Sequence, residues 1–270
     1  MSGALNLDHR SPQEIEERVV ALAHTKLSQP ALKRLVYSVL AGMFVSFGAL
    51  FFAIVSSDTQ LSFAISKLLG GMSFCLGLIL IVTCGAELFT GDMLMVNAVL
   101  KKQSSLKKTL LLWAQVWFGN MLGAFLALGL ILAAHIPDLN GGAVAQSFIT
   151  IASAKTSLDI PTLFFRGILC NLFVCLAVWV SYGARSTVDK IVGVLFPITA
   201  FVVCGFEHCI ANMFFLPTGF IVALQDQTVS IEFLGIINNL LWVTAGNIVG
   251  GAVFVGAFYC YVFSSKKSSS

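Results

Sequence analysis

The sequence predicts an all-α membrane protein of six transmembrane helices, arranged as two inverted three-helix repeats, with helices two and five broken. Three observations predict it: a composition far from the water-soluble range, six apolar blocks of membrane-spanning length, and a polar motif that recurs at the corresponding place in each half.

Hydrophobic residues make up 57% of the chain and charged residues 11%, against about 25% charged in ordinary soluble domains, so lipid is the main solvent of this fold. The apolar blocks cover residues 35–55, 68–100, 109–134, 163–182, 191–216 and 234–263. Each reaches the roughly 20 residues an α-helix needs to cross about 30 Å of hydrocarbon. Residues 1–29 carry charges and no apolar run, so no cleavable signal peptide is expected and insertion starts from the first span.

Orientation follows from the short loops, because Lys and Arg near span ends stay on the cytoplasmic side. Lys33 and Arg34 precede the first block; Lys101, Lys102, Lys107 and Lys108 join the second and third. Arg185 and Lys190 join the fourth and fifth, and Lys266 and Lys267 follow the sixth. The alternate loops hold mainly Asp58 with Lys67, Asp138, Lys155 and Asp159, then Asp226 and Glu232. Both termini are therefore expected in the cytoplasm, and nothing suggests a nucleic-acid partner. The seven cysteines fall inside predicted spans, where a free thiol behaves as a small apolar residue, so helix packing and no disulfides are expected.

The chain divides into a cytoplasmic N-terminal helix (1–30), a first transmembrane repeat (31–134), an extracytoplasmic connection (135–160), a second repeat (161–264) and a disordered tail (265–270). The N-terminal helix starts at Ser11-Pro12-Gln13-Glu14, a cap residue followed by Pro and an acidic first turn. Its apolar positions Ile15, Val19, Leu22, Ala23 and Leu27 form one stripe, with Glu16, Glu17 and Arg18 elsewhere, so it should pack at the cytoplasmic face.

Two segments align without a gap. Cys84-Gly85-Ala86-Glu87-Leu88-Phe89-Thr90-Gly91-Asp92-Met93 matches Cys204-Gly205-Phe206-Glu207-His208-Cys209-Ile210-Ala211-Asn212-Met213, with Cys, Gly, Glu and Met in register. The spans that follow repeat too, Gly119-Asn120 with Gly123 against Gly246-Asn247 with Gly250. An odd number of crossings per half turns the second half over, which makes the repeat inverted. A continuous helix through either segment would place Glu in lipid at a cost of several kcal/mol, so both helices should break there. The second half-helices, starting near Gly91 and Ala211, would aim unpaired N–H groups at the centre, an arrangement that suits an anion.

At these residues the chain resembles the formate-nitrite transporter family. The resemblance rests on Phe74-Cys75-Leu76-Gly77-Leu78, Gly85 to Thr90, Lys155, Gly205-Phe206-Glu207-His208, Ile210 to Met213 and Gly246-Asn247. Residues Leu176 to Trp179, Asp189-Lys190 and Met213 to Pro217 look closer to its formate channels than to its nitrite channels. The resemblance implies an aquaporin-like protomer, a homopentamer in a bacterial inner membrane, and one pore per protomer for small anions of weak acids. Formate is the expected cargo, with nitrite or hydrosulfide as alternatives. The Asn-Pro-Ala signature of aquaporins is absent. Carried over by position, Phe74 and Phe201 narrow the periplasmic side and Leu78 and Leu88, with Phe89 beside them, the cytoplasmic side. Thr90, His208 and Asn212 form the polar centre, through which transport could be proton-coupled.

Each residue also has a plainer reading. A lone His is often a satisfied core residue, but an ionisable group in a span is a functional candidate, and His208 sits at the repeat's break. Glu87 and Glu207 are expected to be structural, accepting from the N–H groups of the broken helices or from a neighbouring protomer, because a lumen-facing carboxylate would oppose anions. Thr90 and Asn212 stand between donating to substrate and capping their half-helices. Lys155 is either a solvated surface residue or, as the resemblance implies, part of the vestibule, and Arg166 should snorkel or pair at the interface. No enzyme is expected and no cofactor. A metal centre at Cys84, Cys204, His208 and Cys209 is disfavoured by the lack of Cys-x-x-Cys or paired-His spacing, and a mere scaffold leaves the buried His unexplained.

Overall fold

The computed structural model describes residues 10–227 and 229–263, and the proposed tail at 265–270 lies outside them. All its regular elements are helical, and six helices are long and apolar enough to cross a membrane.

Helix α1 (Pro12–Ser28) starts as the sequence reads, with Ser11 and Glu14 closing a reciprocal capping box. Its packing departs from the expected stripe: Glu16 is fully buried and pairs with Lys101. One buried carboxylate is tolerated on the packed face because a basic loop residue meets it there. Arg10 adds bonds to the Tyr182 and Ala184 carbonyls at 3.1 and 3.2 Å.

The first repeat runs through α2 (Ala31–Ser56), α3 (Phe63–Leu80), a π-turn (Ile81–Gly85), an extended break, a 3-10 turn (Gly91–Met95), α4 (Val96–Leu100) and α5 (Leu106–Ala133). A lateral helix, α6 (Ala143–Thr156), occupies the connection, so Lys155 stands on a helix and not in the loop that its Ala- and Ser-rich surroundings suggest. The second repeat comprises α7 (Ile160–Gly183), α8 (Thr187–Val203), a break, α9 (Cys209–Asp226), α10 (Phe233–Ile248), a π segment (Val249–Ala257) and α11 (Phe258–Phe263). Helix α9 continues ten residues past the expected end at 216, through Pro217. A proline is tolerated inside such a helix because neighbouring helices re-satisfy the freed carbonyl.

Both breaks are made the same way. Gly85 and Gly205 take φ of +80° and +68°, where a side chain would be strained, and turn the chain out of the helix. Outer spans then close tightly on each other. A Cβ on Gly123 of α5 would lie 2.0 Å from the Val39 carbonyl of α2, and one on Gly250 would lie 2.2 Å from the Ile168 carbonyl of α7. The repeated Gly-x-x-x-Gly spacings thus bring α5 onto α2 and α10 onto α7 at backbone contact.

Candidate functional site

The repeated asparagines hold the breaks. The Asn120 side chain accepts from Phe89 N–H at 3.0 Å and donates to the Ser38 and Glu87 carbonyls at 2.8 and 2.9 Å. The Asn247 side chain accepts from Cys209 N–H at 2.9 Å and donates to the Gly167 and Glu207 carbonyls at 2.7 and 3.0 Å. Extended backbone at membrane depth must be satisfied by protein, and one amide per repeat does so with three bonds. The sequence marks these residues as repeated but gives no role for them.

Glu87 and Glu207 are buried as expected, yet their partners are lysines and not helix N–H groups. Glu207 Oε1 accepts from Lys155 Nζ at 2.8 Å and its Oε2 from Asn212 Nδ2 at 2.7 Å. Glu87 pairs with Lys26 of α1, which also binds Asp92. Burial alone would lower the pKa of Lys26, but the Asp92 and Glu87 carboxylates outweigh it and hold the ammonium well above its ordinary value. The duplication itself contained the signal for Lys26. If the helix before the second repeat brings a lysine to Glu207, the helix before the first must bring one to Glu87.

His208 is the N-cap of α9, its Nδ1 accepting from Ala211 N–H at 3.2 Å. In the neutral ring that bond leaves the proton on Nε2, which lies 2.9 Å from Thr90 Oγ1. The two breaks therefore meet, one residue from each. Capping by His208 settles the alternative for Asn212: it caps nothing, and its Nδ2 is committed to Glu207 and Asn239 at 2.7 Å each. Thr90 makes no capping bond either.

Three spaces lie near this contact; His208 lines two of them, and Thr90, reached only through its bond to His208, lines none. A vestibule of about 360 Å³ on the α1 side is lined by Lys26, Glu87, Leu88 and Asp92. One of about 260 Å³ on the α6 side is lined by Lys155, Phe74, Phe201, His208 and Asn212. Between them lies a void of about 10 Å³, room for about one water, walled by Phe74, Leu78, Leu88, Phe201 and His208. Leu88 borders the void and the α1-side vestibule, whereas Phe74 and Phe201, edge to face at 5.7 Å, border the void and the other vestibule. Phe89, grouped with the constriction in the sequence reading, lines none of these three spaces. Its backbone is held by Asn120, while Leu88 beside it faces the void. Arg166 lines the α6-side vestibule and donates to the Gly205 carbonyl at 3.4 Å.

Cys84 and Cys204, expected as packing residues, are exposed at the breaks, where the chain leaves the helix. The other five cysteines are buried.

The family model described as Formate/nitrite transporter matches residues 13–261. The chain belongs to the formate/nitrite transporter family. A Methanothermobacter thermautotrophicus relative, described as "Probable formate transporter", is 37% identical over 94% of this chain and 97% of its own length. A solved structure described as "Pentameric formate channel with formate bound" superposes with a TM-score of 0.80 at 35% identity, covering 86% of this chain and 97% of that one. An aquaglyceroporin from Plasmodium falciparum, 17% identical, shares the fold with a TM-score of 0.53, over 87% of this chain and 98% of its own. This member of the formate/nitrite transporter family thus has an aquaporin-like fold, and its family is one of transporters, not enzymes.

Proposed function

We propose that the chain is a formate channel that assembles as a pentamer, with α1 and both termini on the cytoplasmic side of the membrane and one pore through each protomer. The lysine-rich loops support the orientation. The relatives' formate transport and pentameric assembly support the cargo and the oligomer. The pathway runs from one vestibule through the void to the other. Phe74 with Phe201 and Leu78 with Leu88 act as apolar collars, Lys155 stands at the outer vestibule, and Glu87 and Glu207 serve structurally, each neutralised by its lysine.

What carries the reading is the bond between His208 Nε2 and Thr90 Oγ1 at 2.9 Å, beside a void about one water wide that His208 itself lines. A bare carboxylate crossing that collar would forfeit its hydration at a cost of several kcal/mol. Formic acid would not, and it presents one acceptor and one donor. His208 Nε2–H can donate to its carbonyl while Thr90 Oγ1 accepts from its hydroxyl, each giving up its bond to the other. Asn212, with both hydrogens engaged, shapes the outer approach to this pair. Formate flux is then proton-coupled and rises as pH falls.

The test is formate flux into vesicles over a pH series. His208→Phe is expected to reduce flux at least tenfold at every pH. A variant that carries formate at the unchanged rate overturns the central role.

A further inference from the structure

We propose, resting on the formate reading above, that Asp92 is a proton donor to the passing anion at the α1-side mouth, a function that the opposite mouth lacks.

The inverted repeat supplies an internal comparison. Glu87 and Glu207 occupy the same register, as do Asp92 and Asn212. On the α6 side the group is Lys155, Glu207 and Asn212, one cation, one anion and an amide whose Nδ2 donates to Glu207 at 2.7 Å. On the α1 side the group is Lys26, Glu87 and Asp92, one cation against two carboxyls. Asp92 is fully buried, its Oδ1 shares the Lys26 ammonium with Glu87 Oε1, and its Oδ2 has no donor. Two buried carboxylates held against the same single ammonium cannot both stay ionised. A proton on Asp92 lets it donate to Glu87 as Asn212 donates to Glu207, and it gives both groups the same net charge of zero. Asp92 thereby carries a proton where its counterpart carries an amide hydrogen.

The surroundings are consistent with one exchangeable proton. From α1, Arg18 faces the same vestibule beside Lys26; from α2, Tyr37. From the break comes Cys84 with Glu87, and from α7 come Tyr182 and the buried Cys175. Lys190 of α8 lines the space but donates to the Val82 carbonyl at 3.3 Å. Glu87 and Asp92 are the carboxyl groups that line this vestibule, and they share one cation.

Asp92 lines the vestibule that ends at Leu88. The step is a transfer of one proton from Asp92 to formate: the carboxyl O–H bond breaks, an O–H bond forms on formate, and Asp92 carboxylate with neutral formic acid results. Asp92 regains its proton from vestibule water. A bound donor matters near neutrality, because hydronium at pH 7, arriving at about 10⁹–10¹⁰ M⁻¹s⁻¹, delivers only about 10²–10³ protons per second. Leaving acid is deprotonated by the reverse step, so the effect follows the pH on the α1 side, whichever way formate flows.

Two measurements test this on the full-length protein in vesicles. Infrared spectra at pH 7 should show a protonated-carboxyl band that shifts on isotope labelling of aspartate and is lost in Asp92→Asn. The ratio of wild-type to Asp92→Asn formate flux should be severalfold at α1-side pH 8 and approach one at pH 5, where hydronium is no longer scarce; effects of acid fraction, Cys84 or His208 cancel in that ratio. A band unchanged in Asp92→Asn, a band that shifts with labelled glutamate instead, or a flux deficit equal at both pH values overturns the proposal. If Asp92→Asn fails to fold, Glu87→Gln replaces it: Asp92 is then the sole carboxylate on Lys26, and the aspartate band should vanish, its persistence refuting the shared proton. Wild-type vesicles that carry no formate would sink the channel reading instead, while the infrared result would still decide where the proton resides.

Discussion

Replacing Asn247 by alanine should unlock the second break without touching any residue that lines the pathway. The side chain makes three buried bonds, with Cys209 N–H at 2.9 Å and with the Gly167 and Glu207 carbonyls at 2.7 and 3.0 Å. Hydrogen bonds inside membranes average about 0.6 kcal/mol, because the unfolded chain in lipid also finds partners, which sets a floor of about 2 kcal/mol for the three. Leaving a buried backbone group unsatisfied costs about 1–3 kcal/mol, and Cys209 N–H opens α9 while the Glu207 carbonyl lies in the break, so neither has an intrahelical partner and the loss should reach about 4–6 kcal/mol. At roughly 2–4 °C per kcal/mol, the apparent Tm of the purified protein in detergent should fall by roughly 10–20 °C. Asn247→Leu keeps the volume and removes the bonds, and should cost as much as alanine. A leucine variant that melts within about 2 °C of the wild type and still conducts would refute the claim that this amide holds the break.

Two other outcomes follow from local geometry. Gly123→Ala sets a Cβ 2.0 Å from the Val39 carbonyl and should cost at least about 3 kcal/mol or prevent recovery of folded protein, whereas Gly129→Ala, with nothing within 4 Å, should be neutral to slightly stabilising by thermal melting. The carboxyl of Glu14 is held below the usual carboxylate range by bonds from the Ser11 backbone and side chain. Its folded pKa lies under its unfolded one, so the stabilisation present at neutral pH is lost as pH falls below about 4. Amide protection in the first turn of α1, measured against the intrinsic exchange rate at each pH, should therefore fall on acidification in the wild type and be low at all pH values in Glu14→Ala.

The elements that water and lipid dictate were legible in the sequence. Block lengths give the spans, and the duplicated Cys-Gly-x-Glu gives both breaks, because a carboxylate in hydrocarbon leaves few alternatives. What stayed hidden are pairings between distant segments. Lys26 lies on a helix whose apolar stripe explains its packing but not its charge, and only the fold carries it to Glu87 and Asp92. Glu16 reads as solvent-facing until Lys101 is brought to it. Helix α9 runs on through Pro217 past the apolar block, because packed neighbouring helices can satisfy a carbonyl that a proline frees, and block length does not show that packing. Phe89 follows Leu88 in the break but stands in a turn whose N–H is held by Asn120, and its side chain leaves the void to Leu88.

The lysine pairs also decide how an anion can be drawn through a site that holds buried carboxylates. Had Glu207 stood free, it would have repelled every anion reaching His208. Bound to Lys155 at 2.8 Å, it forms a pair that neither strongly attracts nor repels, and Lys67 and Arg166, which line the same vestibule, leave it net positive. That positive charge draws small anions alike, so it does not tell one from another. Selection falls to the collars, where only a small solute that has shed its charge escapes the cost of dehydration, and to the His208–Thr90 pair, which rewards a solute with one donor and one acceptor at carboxyl spacing. A chloride ion meets the first condition in size but cannot take up a proton near neutral pH, so the same pore should exclude it while passing weak acids.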